Sequence, residues 1–197
     1  MNIDKTVKNL QKNNMQAHVV SSKDEVLAKI VEIMDRFGTI SIGSSVTLDE
    51  CGVKSYLTSN FKTAEDAHLC GTYFCSSNAI TEDGELYNVD GRGNRISNII
   101  YGPKNVVIVA GVNKIVKDLN AANRRVKTIA APKNCVRLSK DTFCAKTEKC
   151  ESVKDDNNAF TAGCQSLDRI CCSYLVSGFQ KEKDRIKIIL VNENLGY

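Results

Sequence analysis

Side chains able to do chemistry are concentrated between Ser77 and Arg95, in Ser77-Asn-Ala-Ile-Thr-Glu-Asp-Gly-Glu-Leu-Tyr-Asn-Val-Asp-Gly-Arg-Gly-Asn-Arg95. A hairpin needs one or two turn residues, and this stretch sets carboxylates, amides and guanidiniums around three glycines. Glycine lets a backbone turn sharply or approach a ligand closely, and the residues between supply both acceptors and cations. The stretch therefore reads as one wall of a small-molecule site, the other reading being an elaborate solvent-exposed hairpin. Glu82 and Asp90 are its acid/base candidates, because burial and neighbours can tune a carboxylate in a glycine-lined site. Thr81, Asn88, Asn94 and Arg95 are placed to orient a ligand.

Two further segments carry anion chemistry. Gly43-Ser-Ser-Val-Thr47 follows a short apolar run and opens a helical pattern, a junction that lies at the carboxyl edge of an α/β sheet. Free N–H groups there, with the hydroxyls of Ser44, Ser45 and Thr47, suit a phosphate or carboxylate, and they equally suit a plain helix cap. Gly111-Val-Asn-Lys114 follows the strongest strand signal. It puts Asn113 and Lys114 at the same edge, where Lys114 can neutralise an anion or Asn113 can cap the next helix. Gly91-Arg-Gly93 lacks the third glycine and the strand-to-helix setting of a dinucleotide fingerprint, so no nucleotide cofactor is expected.

Nine cysteines form the remaining group, an odd count for a disulfide framework. Cys144, Cys150, Cys164 and Cys171 follow a C-x5-C-x13-C-x6-C spacing, and four thiolates can hold zinc or an iron–sulfur cluster. The alternative is ordinary thiols. His18 and His68 are the only imidazoles, so no Ser–His–acid arrangement can be assembled.

These residues have to be positioned by elements that the apolar pattern announces. Residues 2–14 read as an amphipathic helix through Ile3, Val7 and Leu10, and Met15–Val20 as a strand. Ser21 or Ser22 can cap a helix to about Phe37, with Glu25 three residues after Ser22 completing a capping box. Strands follow at Thr39–Ile42, Tyr73–Ser76, Glu85–Val89, Val106–Ala110 and Ile188–Val191, and Asn113 is set to cap a helix to about Lys127. Strands alternating with helices predict an α/β fold with a mainly parallel sheet. Periodicity fails between Lys140 and Asp168, where a loop or a small ligand-organised module is expected. With 197 residues, 42% hydrophobic and 25% charged, the chain fits one soluble domain, and it is expected to be cytoplasmic. A net charge of +4 without a basic stripe excludes nucleic acid as the expected partner, and no apolar run reaches membrane-spanning length.

The chain resembles the LUD-domain family, the lactate-utilisation proteins. Its matching stretches are Gly43–Leu48, Ser76–Glu85, Asn88–Arg95, Tyr101-Gly-Pro103, Gly111–Lys114 and Leu195-Gly-Tyr197. The resemblance implies a fold like the sugar-phosphate isomerases and CoA transferases, in which a Gly/Ser/Thr loop after a sheet strand holds an anionic group. It divides the single domain into an N-terminal segment (1–37), an α/β core (38–139), a Cys-rich insertion (140–175) and a C-terminal strand (176–197). It implies a link to lactate or organic-acid oxidation and a small anionic metabolite as ligand. It also implies an alternative, a metal- or iron–sulfur-bearing electron-transfer or assembly subunit that docks the redox subunits of a lactate-oxidising complex. A homodimer is compatible with the fold. Two departures stand out: residues 52–72 are short for the family, and Glu151–Gly163 separates the cysteine pairs.

Overall fold

A computed structural model describes residues 2–34, 38–153 and 160–197. The strands are β1 (Gln16–Val20), β2 (Ile40–Ile42), β3 (Thr72–Cys75), β4 (Ala79–Thr81), β5 (Leu86–Asp90), β6 (Asn105–Gly111), β7 (Ile115–Val116), β8 (Ser173–Ser177) and β9 (Ile186–Val191). The helices are α1 (Ile3–Lys12), α2 (Val26–Ile33), α3 (Val46–Glu50), α4 (Val53–Asn60), α5 (Asn94–Ile100), α6 (Leu119–Arg125), α7 (Ala131–Arg137) and α8 (Phe143–Thr147). They build the expected α/β fold with a parallel sheet, and a second sheet that the sequence did not announce.

The first sheet has five strands in the order β1-β9-β6-β3-β2, every pairing parallel. Its central strands are apolar on both faces because both faces are covered. Val106, Ile108 and Ala110 of β6 pack with Ile186, Ile188 and Leu190 of β9 on one side. Val107, Val109, Ile189 and Val191 pack against Val26 and Ile30 of α2 and Leu57 of α4 on the other. Each fully buried aliphatic side chain contributes about 2 kcal/mol, so this double-sided strand pair is where a polar substitution would cost most.

The second sheet, β7-β4-β5-β8, has four strands and is mostly antiparallel. Here alternation does the sorting. Ile80 and Leu86 face the first sheet, whereas Ala79, Tyr87 and Val89 face Ala122 and Val126 of the helical layer beyond. Tyr174 of β8 lies at the edge of that third core, tilted against Tyr87 with ring centroids 6.4 Å apart.

Three local predictions require correction. Asn113 does not cap the helix that follows it; residues 112–114 form a 3-10 turn, β7 intervenes, and Asp118 Oδ1 accepts the Ala121 N–H at 2.8 Å. That helix then runs on through a π turn at Val126–Ala130 into α7, with Pro132 in its first turn. Proline has no N–H to donate and clashes with the carbonyl four residues back, so the wider turn falls where the regular ladder must break. The Ser22 side chain makes no capping bond, and Glu25 instead accepts the Ser21 N–H at 3.1 Å. The expected end of that helix, at Phe37, lies outside the described residues. Among the described residues, no helix is long and apolar enough to cross a membrane.

Candidate functional site

β2, β3 and β6 are neighbours in the parallel sheet, and their carboxyl ends deliver three segments to one place. β2 leads into Ser44–Thr47, β3 into Ser76–Asn78 and β6 into Lys114. Carboxyl ends of parallel strands are where α/β sheets bind ligands, because the chain must turn there and leave backbone groups open. β5 adds Asp90–Arg95 from the second sheet, and α7 closes the far side. The result is a cavity of about 480 Å³ lined by Ser44, Ser45, Thr47, Ser76, Ser77, Asn78, Asp90, Arg92, Asn94, Arg95, Lys114, Asn134, Arg137, Lys140 and Tyr197, among others. That volume matches a small-molecule site.

Lys114 defines the floor. It is 2% exposed, and its Nζ donates to Thr47 Oγ1 at 2.7 Å and to Ser76 Oγ at 2.9 Å. Among the described residues no carboxylate is within ion-pairing distance of it. Burial, reinforced by the nearby cations Arg125 and Arg95, lowers its pKa to about 7. Arg125 is also buried and, among the described residues, without a carboxylate; it donates to the carbonyls of Asn78 at 2.6 Å and Asn113 at 3.1 Å, and burial lowers its pKa to about 10. Thr47 is buried beside the C-terminal segment, its hydroxyl 3.4 Å from the Leu195 carbonyl. Ser45 Oγ accepts the Leu48 N–H at 3.4 Å, which caps the short α3, while Ser44 is exposed to the cavity.

Asp90 and Arg95 reach the cavity already bound to each other. Asp90 Oδ2 accepts the N–H groups of Arg95 (2.9 Å) and Ile96 (2.7 Å), capping α5, and Oδ1 accepts Arg95 Nε and Nη2 at 3.1 and 2.8 Å. Arg95 further donates to the Ser76 carbonyl, Asn88 Oδ1, Asn78 Oδ1 and the Val89 carbonyl. Asn88 is wholly buried behind this clamp, with its Nδ2 unpartnered, and it does not line the cavity. Asn94, the first residue of α5, is exposed at the cavity rim.

Besides Asn88, four more expected site residues lie elsewhere. Gly43 sits just behind the loop, its N–H on the Phe74 carbonyl; a Cβ there would meet Tyr73 Oη at 2.6 Å, so close packing explains the glycine. Asn113 ties down the C-terminal segment, accepting the Leu195 N–H at 3.1 Å and donating toward the carbonyls of Leu195 and Gly196. Thr81 ends β4, and Glu82 follows it in the turn to β5 that docks α1. The Thr81 hydroxyl donates to Glu85, and Glu82 accepts the Asn2 N–H at 3.0 Å and lies 3.6 Å from Lys5 Nζ. Neither lines the cavity.

Cys144 lies beside Cys135, and Cys150 and Cys171 are close enough to act on one another. Among the described residues, no group of three or more His, Cys, Asp or Glu side chains converges as a metal site. Cys144 Sγ lies 3.4 Å from Thr142 Oγ1, Cys150 Sγ 3.2 Å from Ser152 Oγ, and Cys171 Sγ accepts from Arg169 Nε at 3.3 Å. Residues 154–159, between Cys150 and Cys164, lie outside the described residues. Cys171 lines the cavity. His18 is half-buried in β1 with Nε2 unpartnered, and burial lowers its pKa. His68 is paired with Asp66 at 3.3 Å.

Sequence reasoning missed the far wall. Asn134, Arg137 and Lys140 come from α7 and the turn after it, a polar helix face with nothing in its spacing to distinguish it from a solvated one. Tyr197 Oη accepts from Arg137 Nε at 2.8 Å and fixes the guanidinium at the mouth of the site. Ser76, Asn78 and Tyr197 lie within the stretches that resemble the family, and nothing in their spacing marks them as site residues. Among the described residues, the cavity holds five basic side chains, Arg92, Arg95, Lys114, Arg137 and Lys140, against one carboxylate, Asp90, which Arg95 already occupies.

The family model of the LUD domain matches residues 3–68 and 61–191. In three dimensions the chain is similar to a DUF162 family protein from Deinococcus radiodurans, with a TM-score of 0.55, 11% identity and 96% of each chain covered. At that identity the likeness concerns the fold. No curated protein sequence matches the chain.

Proposed function

The chain belongs to the LUD-domain family, and from that premise we propose that it binds a small anionic metabolite of organic-acid utilisation in the cavity above Lys114. One observation carries this reading: a lysine 2% exposed, held by two hydroxyls and flanked by Arg95 and Arg125, with no carboxylate partner among the described residues. Burying an uncompensated charge costs several kcal/mol. A ligand anion offsets that cost by supplying the missing counter-charge in a water-poor site. The serine hydroxyls of the first wall and Arg92 and Arg137 at the rim give the same anion donors in different directions.

In this reading Asp90 and Arg95 act as a rigid wall rather than as an acid and its ligand-orienting partner. Their hydrogen-bonding capacity is taken up by one another and by the backbone. Thr47 and Ser76 hold the Lys114 amine in place. Calorimetric titration of the whole chain with lactate, a 2-oxo acid and inorganic phosphate tests the reading. It predicts saturable one-site binding of at least one of these anions and at least tenfold weaker binding in Lys114→Met. Failure of all three to bind, or undiminished binding in the variant, rejects it.

A further inference from the structure

We propose that Lys114 is a nucleophilic amine that condenses with the carbonyl carbon of a small 2-oxo acid, holding the ligand as an imine on Nζ. This deepens the anion-binding reading and rests on it. Three directions surround a lysine nitrogen beyond its own chain, and two are filled by Thr47 Oγ1 at 2.7 Å and Ser76 Oγ at 2.9 Å. Both hydroxyls have carbonyls to donate to, Leu195 O at 3.4 Å from Thr47 and Ser77 O at 3.5 Å from Ser76. Each hydroxyl oxygen is thereby turned toward the amine as an acceptor. A neutral Nζ that donates its two hydrogens to these oxygens directs its lone pair along the third direction, and Lys114 lines the cavity.

The charges around the amine favour that neutral form. Burial acts first, Arg125 and Arg95 reinforce it, Glu50 and Cys51 act in the opposite sense, and no carboxylate ion-pairs with the amine among the described residues. A desolvated lysine beside other cations is the environment that makes an amine nucleophilic at neutral pH. The one carboxylate that lines the cavity among the described residues, Asp90, is bound to Arg95 and is not a free acid or base. The anionic end of the ligand is served by the hydroxyls of Ser44 and Ser45 and by Arg92 and Arg137. A ligand with a carboxylate beside a ketone uses both features.

The step balances without a redox partner. The Nζ lone pair forms a bond to the carbonyl carbon as the C=O π pair moves onto oxygen, which takes one of the nitrogen's protons. The resulting carbinolamine loses its hydroxyl with the nitrogen's second proton as water, while the nitrogen forms the C=N bond. One water leaves, no electrons are transferred to or from the protein, and hydrolysis reverses the sequence.

The test is reductive trapping on the whole chain at neutral pH, with pyruvate as the probe and sodium cyanoborohydride as the hydride donor, followed by peptide mapping. A saturable secondary-amine adduct mapped to Lys114, outpacing the surface lysines by at least tenfold and suppressed by excess lactate, is the expected result. Lactate has no ketone, so its binding reports the anion site alone. Lactate or pyruvate binding without trapping at Lys114 overturns the imine and leaves the anion reading standing. No binding and no adduct overturns both. Because the adduct is mapped in the unaltered chain, the result does not depend on a variant folding. Lys114→Arg, which removes the nucleophilic amine, is expected to abolish the adduct at that position.

Discussion

Asp90 and Arg95 are bound at both ends of the same contact: one carboxylate oxygen takes two N–H groups of the guanidinium, and the other takes the Arg95 and Ile96 backbone amides. The pair thus joins the end of β5 to the start of α5 and, through Ser76, Asn78 and Asn88, holds the cavity wall in register. Both side chains are largely buried, at 7% and 13% exposure. Removing one partner leaves the other charge uncompensated, which costs about 3–5 kcal/mol. Arg95→Met and Asp90→Ala are each expected to destabilise by that amount in urea unfolding. The double variant should cost less than the two single losses added together. A loss below about 1 kcal/mol in either single variant, the range of an exposed pair, would contradict the clamp.

Lys114 should leave a signature in stability as a function of pH. Its folded-state pKa is about 7, below the ordinary lysine value of 10.5, so between those values the unfolded chain binds more protons than the folded one. Stability therefore rises with pH across that window, by up to about 1.4 kcal/mol per unit. The full cost of burying the cation is felt below it. In Lys114→Met this slope is removed, and the variant should be more stable than the parent near pH 6 by roughly 1–2 kcal/mol, as apolar replacements of buried charges often are. Equal pH slopes for parent and variant in thermal melts would place the amine in water instead.

Gly84 fixes the docking of α1. Its φ is +82°, and a Cβ would lie 2.5 Å from the Asn9 carbonyl carbon. At the same place Asn9 and Asn13 donate to the carbonyls of Glu82 and Gly84 at 2.8 and 2.9 Å. Gly84→Ala is expected to cost about 2 kcal/mol or more through strain and the loss of this seat. Faster proteolytic clipping within residues 2–14 should accompany it, with the anion site intact. An unchanged melt would show that α1 can shift freely.

Thiol labelling reads out the cysteines. Cys172 is exposed, whereas Cys75 is fully buried and its thiol is pushed up to about 12 by burial. Native alkylation should reach Cys172 first and Cys75 last, because the thiolate is the reacting form. A four-thiolate metal would protect Cys144, Cys150, Cys164 and Cys171 as a set, with the protection lifted by chelator. The observed polar partners of Cys144, Cys150 and Cys171 instead predict graded, chelator-independent labelling.

The sheet and the first wall of the site were legible because their causes are local. Continuous apolar runs such as Val106–Ala110 and Ile188–Val191 announce strands buried on both faces, and the glycines and hydroxyls that follow strands announce the carboxyl edge. Lys114 was readable for the same reason. Partnership was not readable. Nothing in the spacing of Asp90 and Arg95 says that each is spent on the other, or that Glu82 turns away to hold α1. The second sheet was hidden because β8 pairs with β5 across more than eighty residues, after a stretch with no apolar period. The far wall was hidden because Arg137 becomes a site residue only when the helix that carries it folds over the sheet edge and Tyr197 holds its side chain there.

Calorimetric titration of the chain with lactate at about pH 6 and about pH 8, on either side of the Lys114 pKa, tests the central claim most directly. Saturable binding at the lower pH, several-fold weaker at the higher, and at least tenfold weaker in Lys114→Met, is the predicted result. Lactate binding that ignores pH across this range and survives the Lys114→Met substitution would show that the buried amine is not the anchor of the site.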